Sequence, residues 1–128
     1  MDEATMYRVA EHTLDAWSRQ NVEEVLACYT SDLVYVDPNT RGPVEGADAM
    51  RRYLTSLFRQ WEMTWRLKEA HLFGSGDGCA VLWEAALKPA GAERQAIVEG
   101  MDLVVVRGEL ICRNEVYFDR MLLAPLMG

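Results

Sequence analysis

The segment EGMDLVVVRG, residues 99–108, is a strongly apolar stretch with one carboxylate, Asp102, in its middle. Its β-branched residues and the Arg107-Gly108 turn that ends it predict a β-strand. Side chains alternate along a strand, so one face carries Asp102 with Val98, Gly100, Val104 and Val106, and the other carries Ile97, Met101, Leu103 and Val105. Because both faces are apolar, we predict a strand that is covered on both sides.

Asp102 needs an explanation in such a strand. An ionised carboxylate is costly in an apolar environment unless it is paired or hydrogen-bonded, and burial raises its pKa. One interpretation is a structural pair with Arg113 on the neighbouring strand. The other is that Asp102 is protonated at neutral pH and donates a hydrogen bond to an oxyanion.

The segments before this strand predict helices. Apolar residues recur at helical spacing over 3–19, and Asn21 with Glu24 three residues later is typical of the start of a short second helix. A short strand, LVYVDP (33–38), ends at Pro38 and is followed by a turn-rich loop. A third helix follows Gly46 and carries the clearest apolar stripe of the chain, at Met50, Tyr53, Leu54, Leu57, Phe58 and Trp61.

The rest of the chain predicts strands over 61–73, 79–89, 94–106 and 109–119, joined in hairpin succession. Helices therefore come first and strands last. This order predicts an α+β fold, in which three N-terminal helices lie on one face of a curled antiparallel sheet.

Length and composition limit the function classes. A chain of 128 residues fits a single domain, 1–128, and its net charge of −7 disfavours nucleic acid or an anionic membrane surface as a partner. No apolar run is long enough to span a membrane, and MDEATMYRVA is unlike a signal peptide, so we expect a cytoplasmic protein. The three cysteines are scattered and the two histidines lack ligand spacing, so we predict reduced thiols and no metal site.

Two further places carry candidate acids. Asp37 ends the first strand beside the loop, where it either starts a turn or acts as a general base. In RNEVYFD (113–119), one face carries Arg113, Glu115 and Tyr117 and the other carries Asn114, Val116 and Phe118. From the spacing between the turn and this motif we predict that Arg113, Glu115 and Tyr117 point inward, although a shift of one residue would reverse every side chain.

Taken with this order of elements, YVDPNTRGPVEG, EGMDLVVV and RNEVYFD resemble the SnoaL-like polyketide cyclase and ketosteroid isomerase-like families of the nuclear-transport-factor-2-like superfamily, over nearly the whole chain. The resemblance implies a cone-shaped curled sheet, closed by helices around a deep and largely apolar pocket. It also implies a homodimer formed through the outer face of the sheet. Members of these families differ in chemistry, so the fold does not decide the function.

Carried over residue by residue, the isomerase pattern implies that Asp37 is the general base and that Asp102 is the protonated, oxyanion-binding acid. The tyrosine that the isomerases carry on the first helix aligns with Thr13, whose short side chain cannot replace a phenol, although Tyr35, Tyr53 or Tyr117 could supply one. In the cyclases an acid of the final strands is the acid–base group, which Glu115 or Asp119 would match. The expected pocket lining comprises Thr13, Trp17, Tyr35, Tyr53, Phe58, Trp65, Trp83, Gly100, Arg113 and Tyr117.

These residues predict cofactor-free acid–base chemistry on a small, mainly apolar carbonyl compound, by enolisation with Asp37, Asp102 and Glu115 as the catalytic acids. The alternative is a module without turnover that binds a hydrophobic ligand or forms a dimer. A lyase or epoxide hydrolase of the same fold is a third possibility. In that case Trp83 and Ala85 would occupy the positions of the hydrolases' strand-borne arginine and aspartate.

Overall fold

Three helices precede or interrupt the first strands, as the sequence predicts. The computed structural model describes residues 2–127. Helix α1 (Glu3–Arg19) starts where Asp2 accepts a hydrogen bond from the Thr5 amide at 2.8 Å, and it ends at Gln20, whose left-handed backbone stops the helix. Helix α2 (Val22–Leu26) is capped by Asn21, which accepts from the Glu24 amide, and α3 spans Ala47–Gln60.

The strands form one six-stranded sheet in the order β2-β1-β6-β5-β4-β3. They are β1 (Tyr29–Val36), β2 (Val44–Glu45), β3 (Trp61–Leu72), β4 (Gly78–Pro89), β5 (Ala96–Arg107) and β6 (Leu110–Tyr117). Strand β1 begins at Tyr29, before the predicted Leu33, and a short 3₁₀ segment, Arg120–Leu126, follows the sheet. The α+β fold with a curled sheet is confirmed.

One pairing differs from a purely antiparallel sheet. Strand β1 pairs in parallel with β6, whereas the hairpin-connected strands β3 to β6 are all antiparallel. A hairpin turn dictates antiparallel pairing, but β1 and β6 are separated by most of the chain, so no turn sets their direction. Register irregularities in β3, β6 and β1 bend the sheet, and α1 packs against its concave face on β3 and β4.

The two faces of β5 differ. Val98, Val104 and Val106 are buried on the concave face, as the alternation predicts. On the convex face Ile97 is 56% exposed and Met101 is 37% exposed. The prediction of a strand covered on both sides is therefore wrong within the described chain, because these two convex-face side chains remain open to solvent.

Close packing explains why residue 100 is a glycine. A Cβ atom at this position would lie 2.6 Å from both the Trp83 ring and the Tyr117 carbonyl oxygen. The indole of Trp83, which is fully buried, occupies the space that Gly100 leaves. Gly100 thus makes room for a side chain of the protein, and the prediction that it lines a ligand pocket is wrong.

Candidate active site

Two small regions of space that share lining residues remain inside the cone. A cavity of about 40 Å³ lies at the mouth beside Asp37, and one of about 20 Å³ lies deeper, beside Asp102 and Thr13. Both are lined by Trp17, Tyr35, Trp65 and Val116. A further space of about 10 Å³, large enough for about one water molecule, lies between Asp102, Thr13 and Asn114.

Asp37 is 8% exposed and its carboxylate is saturated with donors. Its Oδ1 atom accepts from the backbone amides of Asn39 at 2.7 Å and Thr40 at 3.1 Å, as in the turn that the sequence suggested. Its Oδ2 atom accepts from the hydroxyls of Tyr35, at 2.7 Å, and Tyr53. Burial, followed by the nearby Asp37 charge, raises the pKa of both phenols. Asp37 therefore holds two neutral phenols at the mouth of the cone.

Asp102 has fewer partners and a perturbed pKa. Its Oδ1 atom accepts from Trp83 Nε1 at 2.8 Å, and its Oδ2 atom accepts from Asn114 Nδ2 at 3.2 Å. Burial is the main cause that raises the pKa of Asp102 to about 6, these two hydrogen bonds lower it, and the charge of Asp37 adds a smaller rise. No basic side chain within residues 2–127 forms an ion pair with Asp102, so the predicted pair with Arg113 is wrong.

A row of buried polar groups runs from α1 to Asp102. Trp17 Nε1 donates to the Tyr29 hydroxyl at 3.3 Å, and this hydroxyl donates to Asn114 Oδ1 at 2.8 Å. Asn114 is 2% exposed and donates to Asp102. Sequence reasoning missed Tyr29 and Asn114, although Asn114 shares a strand face with Val116 and Phe118, an apolar set that could have marked the inner face.

The walls of the cavities are aromatic. Trp17 stacks on Tyr35 and meets Phe58 and Trp65 edge-on, with ring centroids 5.7 to 6.1 Å apart. The indole N–H of Trp65 is buried without a hydrogen-bond partner in the described part of the chain. A buried donor without an acceptor is unfavourable by about 1–3 kcal/mol, so this N–H is available to an acceptor atom of a ligand.

The predicted orientation of RNEVYFD is wrong. Asn114, Val116 and Phe118 face inward, whereas Arg113 and Tyr117 are exposed on the convex face. The reason is a bulge: Val105 pairs with Arg113 but Val106 pairs with Ile111, so β6 contains one extra residue that reverses the side chains beyond it. Glu115 thus lies outside, where bonds from Tyr117 and Arg113 lower its pKa.

The other predicted site residues divide into three groups. Thr13, Trp17, Tyr35 and Trp65 line the cavities, and the Thr13 hydroxyl donates to the Val9 carbonyl at 2.8 Å. Tyr53 bonds to Asp37, and Trp83 bonds to Asp102. Phe58 packs edge-on against Trp17.

An open groove of about 680 Å³ lies outside the mouth, between α3 and the 3₁₀ segment. This groove and the 40 Å³ cavity at the mouth share four lining residues, Asn39, Leu57, Trp61 and Leu123, so Leu123 lies at the boundary between them.

Within residues 2–127 no group of three or more potential metal ligands lies together, and no helix is long and apolar enough to cross a membrane. Cys28, Cys79 and Cys112 are free thiols, as predicted.

Solved structures that share this fold include proteins named for several different reactions. A putative polyketide cyclase from Xanthomonas campestris superimposes with a TM-score of 0.84 at 13% identity, with 98% of each chain covered. A ketosteroid isomerase-like protein from Erwinia carotovora atroseptica gives 0.73 at 22% identity, over 92% of this chain and 98% of that one. The epoxide hydrolase/cyclase-like enzyme SalBIII, which has a role in pyran ring formation in salinomycin, gives a TM-score of 0.80 at 19% identity, over 94% of this chain and 95% of that one.

At these identities the likeness shows the fold alone. A search of curated proteins finds no match. The model of the SnoaL-like domain matches residues 10–114, which include α1, Asp37, Asp102 and Asn114. The chain therefore belongs to the SnoaL-like domain family.

Proposed function

We propose that this protein catalyses proton transfer at carbon in a small carbonyl compound without a cofactor, with Asp102 as the acid–base group. The observation that carries the proposal is the carboxyl group of Asp102 on an interior cavity, without a basic partner in the described chain and with its pKa raised to about 6. Such a group exchanges a proton readily at neutral pH. The C–H bond of the substrate breaks, the proton moves to Asp102, and its return to another carbon completes an isomerisation.

The developing enolate oxygen needs a hydrogen-bond donor. Trp65 lines the same cavity as Asp102, and its N–H has no partner in the described chain, so this N–H is the donor that supports the proposal best. The Tyr35 and Tyr53 hydroxyls both donate to Asp37, and the Thr13 hydroxyl donates to Val9. These hydroxyls would have to leave their present acceptors before they could donate to a substrate.

The roles of the two acids differ from those of the isomerases. There the acid at the end of the first strand is the base and the strand acid is the donor, as the resemblance implied for Asp37 and Asp102. Four donors already engage the oxygens of Asp37, so one of them would have to move away before a substrate proton could reach it. This arrangement favours Asp102 for proton transfer and Asp37 as the group that holds the two phenols.

The small cavities require a ligand to move side chains. Together they are much smaller than the roughly 300–1,000 Å³ of typical ligand sites. Displacement of Leu123 would join the inner cavity to the outer groove, so we propose that ligands enter past the 3₁₀ segment.

The test is deuterium uptake from heavy water into a panel of small ketones and β-dicarbonyl compounds, followed by NMR. The wild-type protein should promote exchange in at least one compound, and Asp102→Ala should abolish it. Asp32→Asn is a matched control, because Asp32 is an exposed acid that pairs with Arg107 on the surface. An Asp102→Ala protein that exchanges as fast as wild type would refute the proposal.

A second candidate function is ligand binding without turnover. It is favoured by the small volume of the interior and by the dense aromatic packing around it. No exchange with any compound of the panel, together with binding that survives Asp102→Ala, would support this function. A hydration reaction has less support, since Trp83 and Ala85 are fully buried apolar residues where the hydrolases carry arginine and aspartate.

We also propose that two copies pair through the convex face of the sheet. Ile97, Met101 and Tyr117 expose apolar surface on this face, and Met101 and Tyr117 are neighbours across β5 and β6. Light scattering at micromolar concentration should show a dimer, and Ile97→Lys should shift it toward monomer. A wild-type protein that is monomeric throughout this range would refute the pairing.

A further inference from the structure

We infer that Tyr29 and Asn114 are positioning residues that, together with Trp83 on the other oxygen, hold Asp102 as a hydrogen-bond acceptor, so that it acts as the base of the proton transfer and not as a donor to the substrate oxygen. The inference rests on the proposed function, since it assigns the role of Asp102 within that reaction. Neither Tyr29 nor Asn114 is among the catalytic positions that the isomerase resemblance implies.

The direction of the hydrogen bonds is set first at Trp17. An indole N–H can only donate, and Trp17 Nε1 donates to the Tyr29 hydroxyl oxygen at 3.3 Å. The single hydrogen of this hydroxyl is then free for Asn114 Oδ1, which lies 2.8 Å away. The N–H of Trp17 therefore orients the Tyr29 hydroxyl so that it donates to Asn114.

The amide of Asn114 has two reasons to adopt one orientation. Its oxygen accepts from Tyr29, and its Nδ2 atom lies 3.2 Å from Asp102 Oδ2 and 3.4 Å from the Leu103 carbonyl oxygen. A carbonyl oxygen can only accept, so a reversed amide would place two acceptors against each other. Asn114 is thus held with its N–H groups toward Asp102.

The other oxygen of Asp102 meets a second indole. Trp83 Nε1 donates to Oδ1 at 2.8 Å, and this N–H also cannot accept. Each oxygen of Asp102 therefore faces a donor. Donors stabilise the carboxylate over the carboxylic acid, and they thereby oppose the effect of burial. The two donors therefore favour the role of a base over that of an oxyanion-binding acid.

Few other groups near Asp102 can titrate in the same pH range. Tyr29 and Asp37 lie on β1 or directly after it, Cys79 lies on β4, and Glu115 of β6 faces away. Burial raises the pKa of Tyr29, and it raises the pKa of Cys79 to about 11, so both stay neutral below pH 8. Asp37→Asn is the control for a contribution of Asp37.

The experiment is a pH titration of the Asp102 carboxyl carbon by NMR, in wild type, Tyr29→Phe and Asn114→Leu. Removal of the Asn114 donor should raise the titration midpoint by about one pH unit, and removal of the Tyr29 hydroxyl should raise it by part of that amount. Because the bonds act in series, the double variant should match Asn114→Leu. The pH profile of exchange should shift in the same direction. The matched control is Tyr117→Phe, which removes a phenol that donates to the exposed Glu115.

Midpoints that stay within about 0.2 pH units of wild type in both folded variants would overturn the inference. If the variants do not fold, the wild-type protein decides, because the side-chain amide signals of Asn114 must move with the ionisation of Asp102. Amide signals that ignore this ionisation would also overturn it. The proposed function fails separately: shifted midpoints without exchange in any compound would refute the reaction, and exchange with unshifted midpoints would refute only the positioning role.

Discussion

Asp102 and Glu115 are acids on neighbouring strands of one sheet, yet their environments are opposite. Asp102 lies on the concave face, where burial raises its pKa to about 6. Glu115 lies on the convex face, where hydrogen bonds from Tyr117 and Arg113 lower its pKa. Glu115 is opposite Leu103, the residue that follows Asp102, so a single step along the chain separates the two faces. The direction in which the pKa of an acid is shifted therefore depends on the face of the sheet that carries it.

The largest difference between the two acids should be in catalysis. Asp102→Ala and Asp102→Asn should both lower the rate of exchange by about 10²–10⁴-fold, because neither residue can accept a proton. Glu115→Gln should leave the rate within about twofold, since the group it removes faces solvent. Rates in heavy water at neutral pH measure all three. If Asp102→Asn were much more active than Asp102→Ala, Asp102 would be a hydrogen-bond donor and not a base.

Stability should respond to pH through Asp102. Its pKa is higher in the folded chain than the ordinary 3.8, so the folded state binds more protons between the two values. The contribution of Asp102 to the free energy of unfolding should therefore be largest below pH 4, and it should fall by up to about 3 kcal/mol as the pH rises through 6. Urea denaturation of wild type against Asp102→Asn isolates this contribution. An identical pH dependence in both proteins would contradict it.

The same titration should appear in the reaction. A base is active when ionised, so kcat/KM should rise as the pH increases toward about 6 and then level off. A hydrogen-bond donor would give the reverse, with a rate that falls above this pH. The measured profile from pH 4.5 to 8 distinguishes the two roles, with Glu115→Gln as the control that should keep the wild-type shape.

Packing behind Asp102 should have a moderate effect. Gly100→Ala places a methyl group 2.6 Å from the Trp83 ring and from a backbone oxygen, so it should destabilise the protein by about 1–3 kcal/mol. It should also weaken the bond from Trp83 to Asp102. Gly74→Ala is the control, because no atom lies within 4 Å of its added carbon. Thermal denaturation compares them, and equal midpoints would show that Trp83 adjusts without cost.

The smallest effect should come from the convex face. The pair of Arg113 and Glu115, at 2.9 Å, is exposed to solvent, and such pairs contribute about 0–1 kcal/mol. Arg113→Gln should therefore change the free energy of unfolding by less than about 1 kcal/mol. A larger loss in urea denaturation would mean that this face is covered in solution, which would support the proposed dimer.

Local patterns in the sequence predict much of the fold. Helix α1 has the predicted bounds, Asn21 caps α2, and α3 follows Gly46, because helical periodicity and capping act within a few residues. The concave face of β5 follows from its alternation, and Asp102 was found by this reasoning. Asp37 was found with its turn, because both belong to one short segment.

The face presented by β6 could not be predicted in the same way. An extra residue at the bulge reverses every side chain after it, and nothing in the spacing of RNEVYFD reveals that residue. The partners of Asp102 depend on this reversal, since it places Asn114 inside and Arg113 outside. The parallel pairing of β1 and β6 likewise joins parts of the chain that no turn connects.

The α+β class, the three helices and the two acids of the interior follow from the amino-acid sequence alone, because these features depend on residue type and short-range periodicity. The partners of each acid depend on long-range folding: Asp37 meets two phenols and two backbone amides, and Asp102 meets two N–H donors. Tyr29 and Asn114 are far apart in the chain and meet only when β1 and β6 pair. The protonation of a buried carboxyl depends on such long-range contacts, which sequence spacing does not encode.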